Sequence, residues 1–187
     1  WDAQLAHYAA ELVDKRKEYL EMLAPLAQEK HAYLTDNAEK LEISAEKCYG
    51  KNAMETEQAL FAEFSSNYER DIRLGFTASG PHRDDIKVLI DGVEARVYGS
   101  QGQTRTAALA VKLAEVEIFR QISGEYPVLI LDDVMSELDL SRRKKLIGKI
   151  DGIQTILTCT HTEKVLYGKE CNKIRIANGK IRSSSRK

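Results

Sequence analysis

Two adjacent carboxylates, Asp132 and Asp133, follow the apolar run Val128-Leu129-Ile130-Leu131. In open α/β sheets, ligands gather beyond the carboxyl ends of the strands. Two carboxylates at such a mouth repel each other, so the pair suits a cation, a water network or a shared proton. Magnesium takes hard oxygen ligands and keeps several waters. One carboxylate can hold Mg2+ while the other polarises a water for attack on a phosphate. The plainer role for Asp133 is to cap the next turn.

Three further segments carry polar chemistry. Ser100-Gln101-Gly102-Gln103 stands directly before a long helical pattern. Helix N-termini present unpaired N–H groups and a positive dipole end, which attract anions. Gly102 admits a close ligand, and Ser100 can cap the helix or contact a phosphate oxygen. Plain capping is the alternative. Ser136-Glu137-Leu138-Asp139 reads as a helix start, with Asp139 or Ser141 as its cap. Thr158-Cys159-Thr160-His161 ends the next strand, where His161 is either a structural histidine or a catalytic one.

The elements that must position these residues fall into two halves. Residues 1 to about 70 read as helix. Leu5, Tyr8, Leu12, Tyr19, Leu23 and Leu26 form one apolar stripe on a helical period. Pro25 predicts a break or kink near 24–25, with a second helix from 27 to 40 and a third from Asn52 to Arg70. Leu41-Glu42-Ile43-Ser44 is a short strand or a loop. The first 49 residues hold no Gly and the remainder hold all 11, so the boundary is expected near 70–80.

The second half reads as α/β. Ile86 to Ile90 is a strand, Asp91-Gly92 a turn, and Ala95 to Tyr98 the expected return strand. A helix over 103–122 carries two stripes, Ala107, Val111, Ala114, Ile118 and Ile122 on one, Leu109, Leu113 and Val116 on the other. Such a helix is buried on two faces. Val128 to Leu131 and Gln154 to Thr158, joined by a helix near 141–150, predict a βαβ unit with buried parallel strands. Asn178-Gly179 between Lys173-Ile174-Arg175-Ile176 and Lys180-Ile181-Arg182 predicts a type I′ hairpin.

Composition removes several classes. With 43% hydrophobic and 30% charged residues, the chain is neither disordered nor fibrous. A length of 187 residues corresponds to one domain or a little more. No apolar run approaches the roughly 20 residues of a membrane span, and a cytoplasmic location is expected. The chain opens at Trp1 without an initiator Met or signal peptide, as a piece of a longer polypeptide would. Three Cys without a CxxC argue against a disulfide framework or zinc knuckle. The four His lie too far apart in sequence for a local metal motif. Net charge is only −1, but Arg142-Arg143-Lys144-Lys145 and the tail from Lys173 are basic. These are solvated faces or phosphate contacts.

The order of the segments carries more than any one of them. An anion-binding helix start, a strand ending in Asp-Asp, Ser-Glu-Leu-Asp, and a strand ending in a polar His segment resemble the second half of an ABC-type ATPase head. More closely, the sequence resembles the RecF family, the bacterial recombination mediators among the SMC-like ATPases. Gly80-Pro81-His82-Arg83-Asp84-Asp85 looks like that family's motif at the return from its helical arm. Ser100-Gln101-Gly102-Gln103-Thr104-Arg105 matches its signature except at Thr104, where Gln is more usual. Val128 to Asp133 looks like its Walker B strand and Ser136 to Asp139 like its D-loop. The resemblance covers roughly 71–182, with 1–72 as arm by position and 73–187 as the C-terminal lobe of the head.

The resemblance implies roles for individual residues. Asp132 would hold the Mg2+ that bridges the β- and γ-phosphates, and Asp133 would orient the attacking water. Ser100, Gln101, Gly102, Gln103 and Arg105 would belong to the signature that meets ATP held by a second protomer. Ser136 and Asp139 would work at that seam, and His161 would sense the γ-phosphate. ATP would act as a switch for homodimerisation. The family binds double-stranded DNA at gaps and works with RecR and RecO to load RecA, in DNA repair, recombination and replication and the SOS response. Arg142, Arg143, Lys144 and Lys145 are the DNA-contact candidates.

One expected part is missing from the chain. A Walker A loop needs Gly, four residues, then Gly-Lys-Ser/Thr. Gly-Lys occurs at 50–51, 148–149, 168–169 and 179–180, never with that spacing and never before Ser or Thr. In the family this cradle precedes the arm, so the chain alone is expected to bind ATP poorly and to leave apolar sheet surface open. Two rival classes fit the same features: another SMC- or ABC-type head, and a non-enzymatic module that binds protein or DNA. Ser-Gln-Gly-Gln and Asp-Asp argue against a transporter subunit, which would show Leu-Ser-Gly-Gly-Gln and Asp-Glu.

Overall fold

The computed structural model describes residues 1–160 and 170–186. Helix α1 runs from Asp2 to Thr35, strand β1 from Leu41 to Ala45, and helix α2 from Ala53 to Leu74. Strands β2 (Ile86–Ile90) and β3 (Val93–Glu94) follow, then the short helix α3 (Ala95–Tyr98) and the long helix α4 (Gln101–Ser123). Strand β4 (Leu129–Leu131) leads through a 3₁₀ turn (Val134–Glu137) to α5 (Leu140–Lys149) and β5 (Thr155–Leu157). Strands β6 (Asn172–Ala177) and β7 (Lys180–Arg186) close the order.

These elements form two compact units, Trp1–Pro127 and Val128–Lys187. Packing places the unit boundary at 127/128, beyond the composition shift near 70–80. The reason is that α4 lies against α1, joining the signature helix to the helical half.

In the first unit α1 continues through Pro25, and the predicted break and second helix over 27–40 are absent. Proline deletes one backbone donor, a local cost. Buried Leu20 and Leu23 before it, and Ala27 and Leu34 after it, anchor both arms of the helix. The buried stripe is also phased differently from the expected one. Ala6, Ala9 and Ala10 pack with Leu60 and Phe64 of α2. Leu5, Tyr8, Leu12 and Tyr19 stay exposed, and only Leu23 of the expected set that α1 begins with is fully buried. Small side chains let two helix backbones approach closely, which a hydrophobicity count does not reward.

Residues 41–45 do form a strand. β1 pairs antiparallel with β2, Leu41 opposite Ile90 and Ala45 opposite Ile86. The Asp91-Gly92 turn has φ of 51° and 79°, the left-handed pair that a type I′ turn requires. The return strand stops after two residues, and 95–98 is a helical turn instead of the expected strand. Helix α4 matches its two-faced pattern. Ala107, Ala114 and Ile118 are buried along with Leu109, Leu113 and Val116, while Ile122 at the last turn is exposed.

In the second unit β4 and β5 pair parallel, Leu129 with Thr155 and Leu131 with Leu157. This is the predicted βαβ unit. Its strands are buried on one face only. Leu129 and Leu131 are covered, whereas Ile130 is 67% and Val128 52% exposed. The β6–β7 hairpin forms as predicted, with φ of 52° at Asn178 and 70° at Gly179. Among the described residues no helix is long and apolar enough to cross a membrane.

Candidate functional site

One candidate site, in the first unit, is the start of α4. Ser100 is its N-cap and makes a reciprocal capping box with Gln103. The Gln103 amide donates to Ser100 Oγ at 3.2 Å, and the Ser100 amide donates to Gln103 Oε1 at 2.9 Å. The amides of Gln101 and Gly102 lie in the first turn, where no intrahelical acceptor exists. The Ser100 hydroxyl is exposed and keeps its own proton for a ligand. Arg105 is half-buried one turn further on.

The turn before Ser100 is fixed by Ala95, Gly99 and Thr104. The Gly99 amide donates to Ala95 O at 3.1 Å. The Thr104 hydroxyl donates toward Ala95 O at 3.3 Å and Ser100 O at 3.1 Å. Thr104, the one departure from the family signature, thus ties α3 to α4. A Cβ on Gly99 would stand 2.4 Å from Ala95 O, so no side chain fits there. Thr106, fully buried, donates to Gly102 O at 2.7 Å and closes the first turn from inside.

The Gly80–Asp85 segment is a hub of tertiary bonds. Arg16 of α1 donates to Pro81 O at 2.8 Å. The Tyr49 hydroxyl donates to Asp84 Oδ2 at 2.5 Å, and Lys47 pairs with Asp84 Oδ1 at 3.2 Å. Burial, reinforced by the Asp84 carboxylate, raises the Tyr49 phenol above its ordinary value. His82 Nε2 donates to Thr77 O at 2.9 Å, and Arg96 of α3 pairs with Asp85. The segment therefore straps α1 and the β1–α2 connection to the element that precedes Ser100.

A separate candidate site, in the second unit, lies at the carboxyl ends of β4 and β5. Asp132 and Asp133 are both exposed there. The Thr158 amide donates to Leu131 O at 3.0 Å and carries the parallel ladder one residue further. That places the Thr158 hydroxyl between the two acids. It accepts from the Asp133 amide at 3.0 Å and donates to Asp132 Oδ1. Asp133 has a left-handed backbone, φ 49°, which turns its side chain out of the strand direction. Its carbonyl accepts from the Ser136 hydroxyl at 2.8 Å, fixing the start of the Ser136–Asp139 segment.

Asp139 is the N-cap of α5, as expected. Its carboxylate accepts the Arg142 amide at 3.0 Å, and Arg142 Nε stands 3.5 Å from its other oxygen. The Arg142 amide above all holds its carboxyl below the ordinary range. Arg143 Nε donates to Leu138 O at 2.7 Å. The basic run at 142–145 is thus partly spent on its own helix start; of the four, Lys144 alone is fully exposed. His161 lies outside the described residues. The polar residue that the structure does put on the Asp132 carboxylate, and on the Asp133 amide, is Thr158. The signal for it was its place at the end of the second parallel strand.

The parallel βαβ unit with paired acids at its strand ends and the capped helix with open amides are both parts that an ABC-type ATPase head carries. The comparisons agree and go further. The chain is 40% identical over 184 residues to a DNA replication and repair protein RecF of Clostridium acetobutylicum, covering 97% of this chain and 50% of that protein. It is 44% identical over 164 residues to the Lachnoclostridium phytofermentans RecF, covering 88% and 44%. Two solved structures of the recombination mediator protein RecF in the RecFOR pathway, as RecF-ATPrS and RecF-ATP, match with a TM-score of 0.78 and 38% identity. They cover 96% of this chain and 48% and 49% of theirs. No family model matches. The chain is similar to RecF along nearly its whole length, and it spans about half the length of the relatives it matches.

Proposed function

We propose that this chain supplies the signature helix, Walker B strand and D-loop of a RecF-type ATPase that acts in DNA repair. In functional terms 1–72 serves as the arm and 73–187 as the C-terminal lobe of the head. One observation carries the proposal: Thr158 gathers Asp132 and Asp133 at the carboxyl ends of two parallel strands.

ATP is the nucleotide named with the solved relatives, and the residues here suit its phosphates. Mg2+ needs one or two carboxylates and leaves its other positions to water and phosphate oxygens. Asp132, an exposed carboxylate at the end of a parallel strand, offers one such ligand. Asp132 would hold that ion, which would supply neutralising charge to the phosphates. Asp133 orients the water, and Thr158 keeps the two acids apart in role by donating to one and accepting from the backbone of the other. Ser100 and the Gln101 and Gly102 amides meet the γ-phosphate of a nucleotide carried by a second protomer. ATP then drives homodimerisation, with Ser136 and Asp139 near the seam. The parent protein binds double-stranded DNA in the cytoplasm and works with RecR and RecO to load RecA.

The test uses a full-length chimaera in which this chain replaces the matching half of the C. acetobutylicum relative. Asp133→Asn is expected to bind ATP normally and to lose hydrolysis by about 10²-fold or more, the scale of a lost proton-transfer group. Asp132→Asn is expected to lose Mg2+-dependent hydrolysis as well. Hydrolysis at the parent rate in Asp133→Asn contradicts the assignment.

A further inference from the structure

We propose that the basic face of the β6–β7 hairpin docks the phosphate backbone of double-stranded DNA. This rests on the DNA-binding role proposed above and assigns it to a surface other than α5.

The register sorts the hairpin into two faces. Ile176 pairs with Ile181, and Ile174 lies on the same side of the pleat. Lys173, Arg175 and Lys180 fall on the opposite side, with Arg175 opposite Ser183 and Lys180 opposite Ala177. The register shift beside Arg175 and Ile176 leaves Arg182 as the extra residue of a bulge. Bulges bend a strand and re-aim a side chain. The result is a ribbon with an isoleucine face and a cationic face.

On this ribbon Arg175, Lys180 and Arg182 carry the open positive charge. No acidic residue occurs from Cys171 to Lys187. Arg175, Lys180 and Arg182 are exposed and form no ion pair among the described residues. The contrast is with 142–145, where Arg142 and Arg143 are bonded to Asp139 and Leu138. Three exposed cations with no acidic neighbour on the ribbon suit a polyanion, and duplex DNA carries one negative charge per about 1.7 Å of its axis.

The experiment follows a short labelled duplex by fluorescence anisotropy with this chain over a series of NaCl concentrations. Arg175→Gln, Lys180→Gln and Arg182→Gln are introduced together, and Arg142→Gln with Lys144→Gln serves as the comparison. Both sets are exposed or half-exposed substitutions, and an unchanged urea midpoint verifies the fold. The hairpin variant is expected to lose at least about tenfold in affinity. Its salt slope should become shallower by about 2.7, the release of counterions from three phosphates. The α5 variant should bind like the parent. If the α5 variant loses binding and the hairpin variant keeps it, the proposal is overturned while the DNA role stands. If the parent chain binds no duplex, or poly-glutamate competes as well as duplex at equal charge, the proposal is overturned as well.

Discussion

Replacing Gly99 by Ala tests how the signature helix is positioned. Gly99 has φ −66° and ψ 139°, a conformation open to any residue. In free space the change would stabilise by about 0.4–1 kcal/mol through the unfolded chain. Here the new methyl would stand 2.4 Å from Ala95 O and 3.1 Å from Thr104 Oγ1. That carbonyl accepts from the Gly99 amide and the Thr104 hydroxyl. It must move, and both bonds weaken with it. Overpacking costs about 1–3 kcal/mol, and each hydrogen bond contributes about 1 kcal/mol. The net expectation is a loss of about 2–4 kcal/mol in the local stability of the α3–α4 turn. Hydrogen exchange at 95–104 reads it directly, as about 30-fold or more faster exchange. In the chimaera, ATP-dependent dimerisation should fall too, because Ser100 follows Gly99. Exchange at the parent rate, or slower, would refute the reasoning.

Three further outcomes are expected. Tyr49→Phe removes the hydroxyl from the nearly buried Asp84 and should cost about 1.5–3 kcal/mol by urea unfolding at neutral pH. The phenol is raised in the fold, so its contribution is full below the ordinary value of 10.0 and fades above it; that alkaline loss should be absent from the Phe variant. Asp139→Ala should cost about 1 kcal/mol as a lost N-cap. The Asp139 carboxyl is lowered, so this difference is full above its ordinary value of 3.8 and vanishes as pH falls through the lower folded value, which a pH series of urea midpoints reads. Thr158→Val should cost about 1 kcal/mol by leaving the Asp133 amide without its acceptor, with Thr158→Ser restoring the parent midpoint.

The α/β half was the more legible one, for a physical reason. Its signals are local. Asn178-Gly179 and Asp91-Gly92 dictate their own turns, Ser100 and Asp139 cap the helices that follow them, and β-branched runs bracket a helix of fitting length. The helical half depends on tertiary choices. Pro25 was outvoted by anchoring on both sides, and the alanines at 6, 9 and 10 face the core because α2 comes close. Residues 95–98 look like a return strand, yet Ala95 O is held by Gly99 and Thr104 in a helical turn. At the site, the acids and the capping serine were visible as residue types. Thr158 was not, because its role exists only once β4 and β5 lie in register.

The central claim is that Ser100 faces a nucleotide held by another protomer. Light scattering of the chimaera with and without Mg-ATP, alongside Ser100→Arg, tests it most directly. The account predicts that the parent shifts from monomer to dimer with Mg-ATP, while Ser100→Arg binds ATP and stays monomeric. A Ser100→Arg variant that dimerises with Mg-ATP as fully as the parent would contradict it.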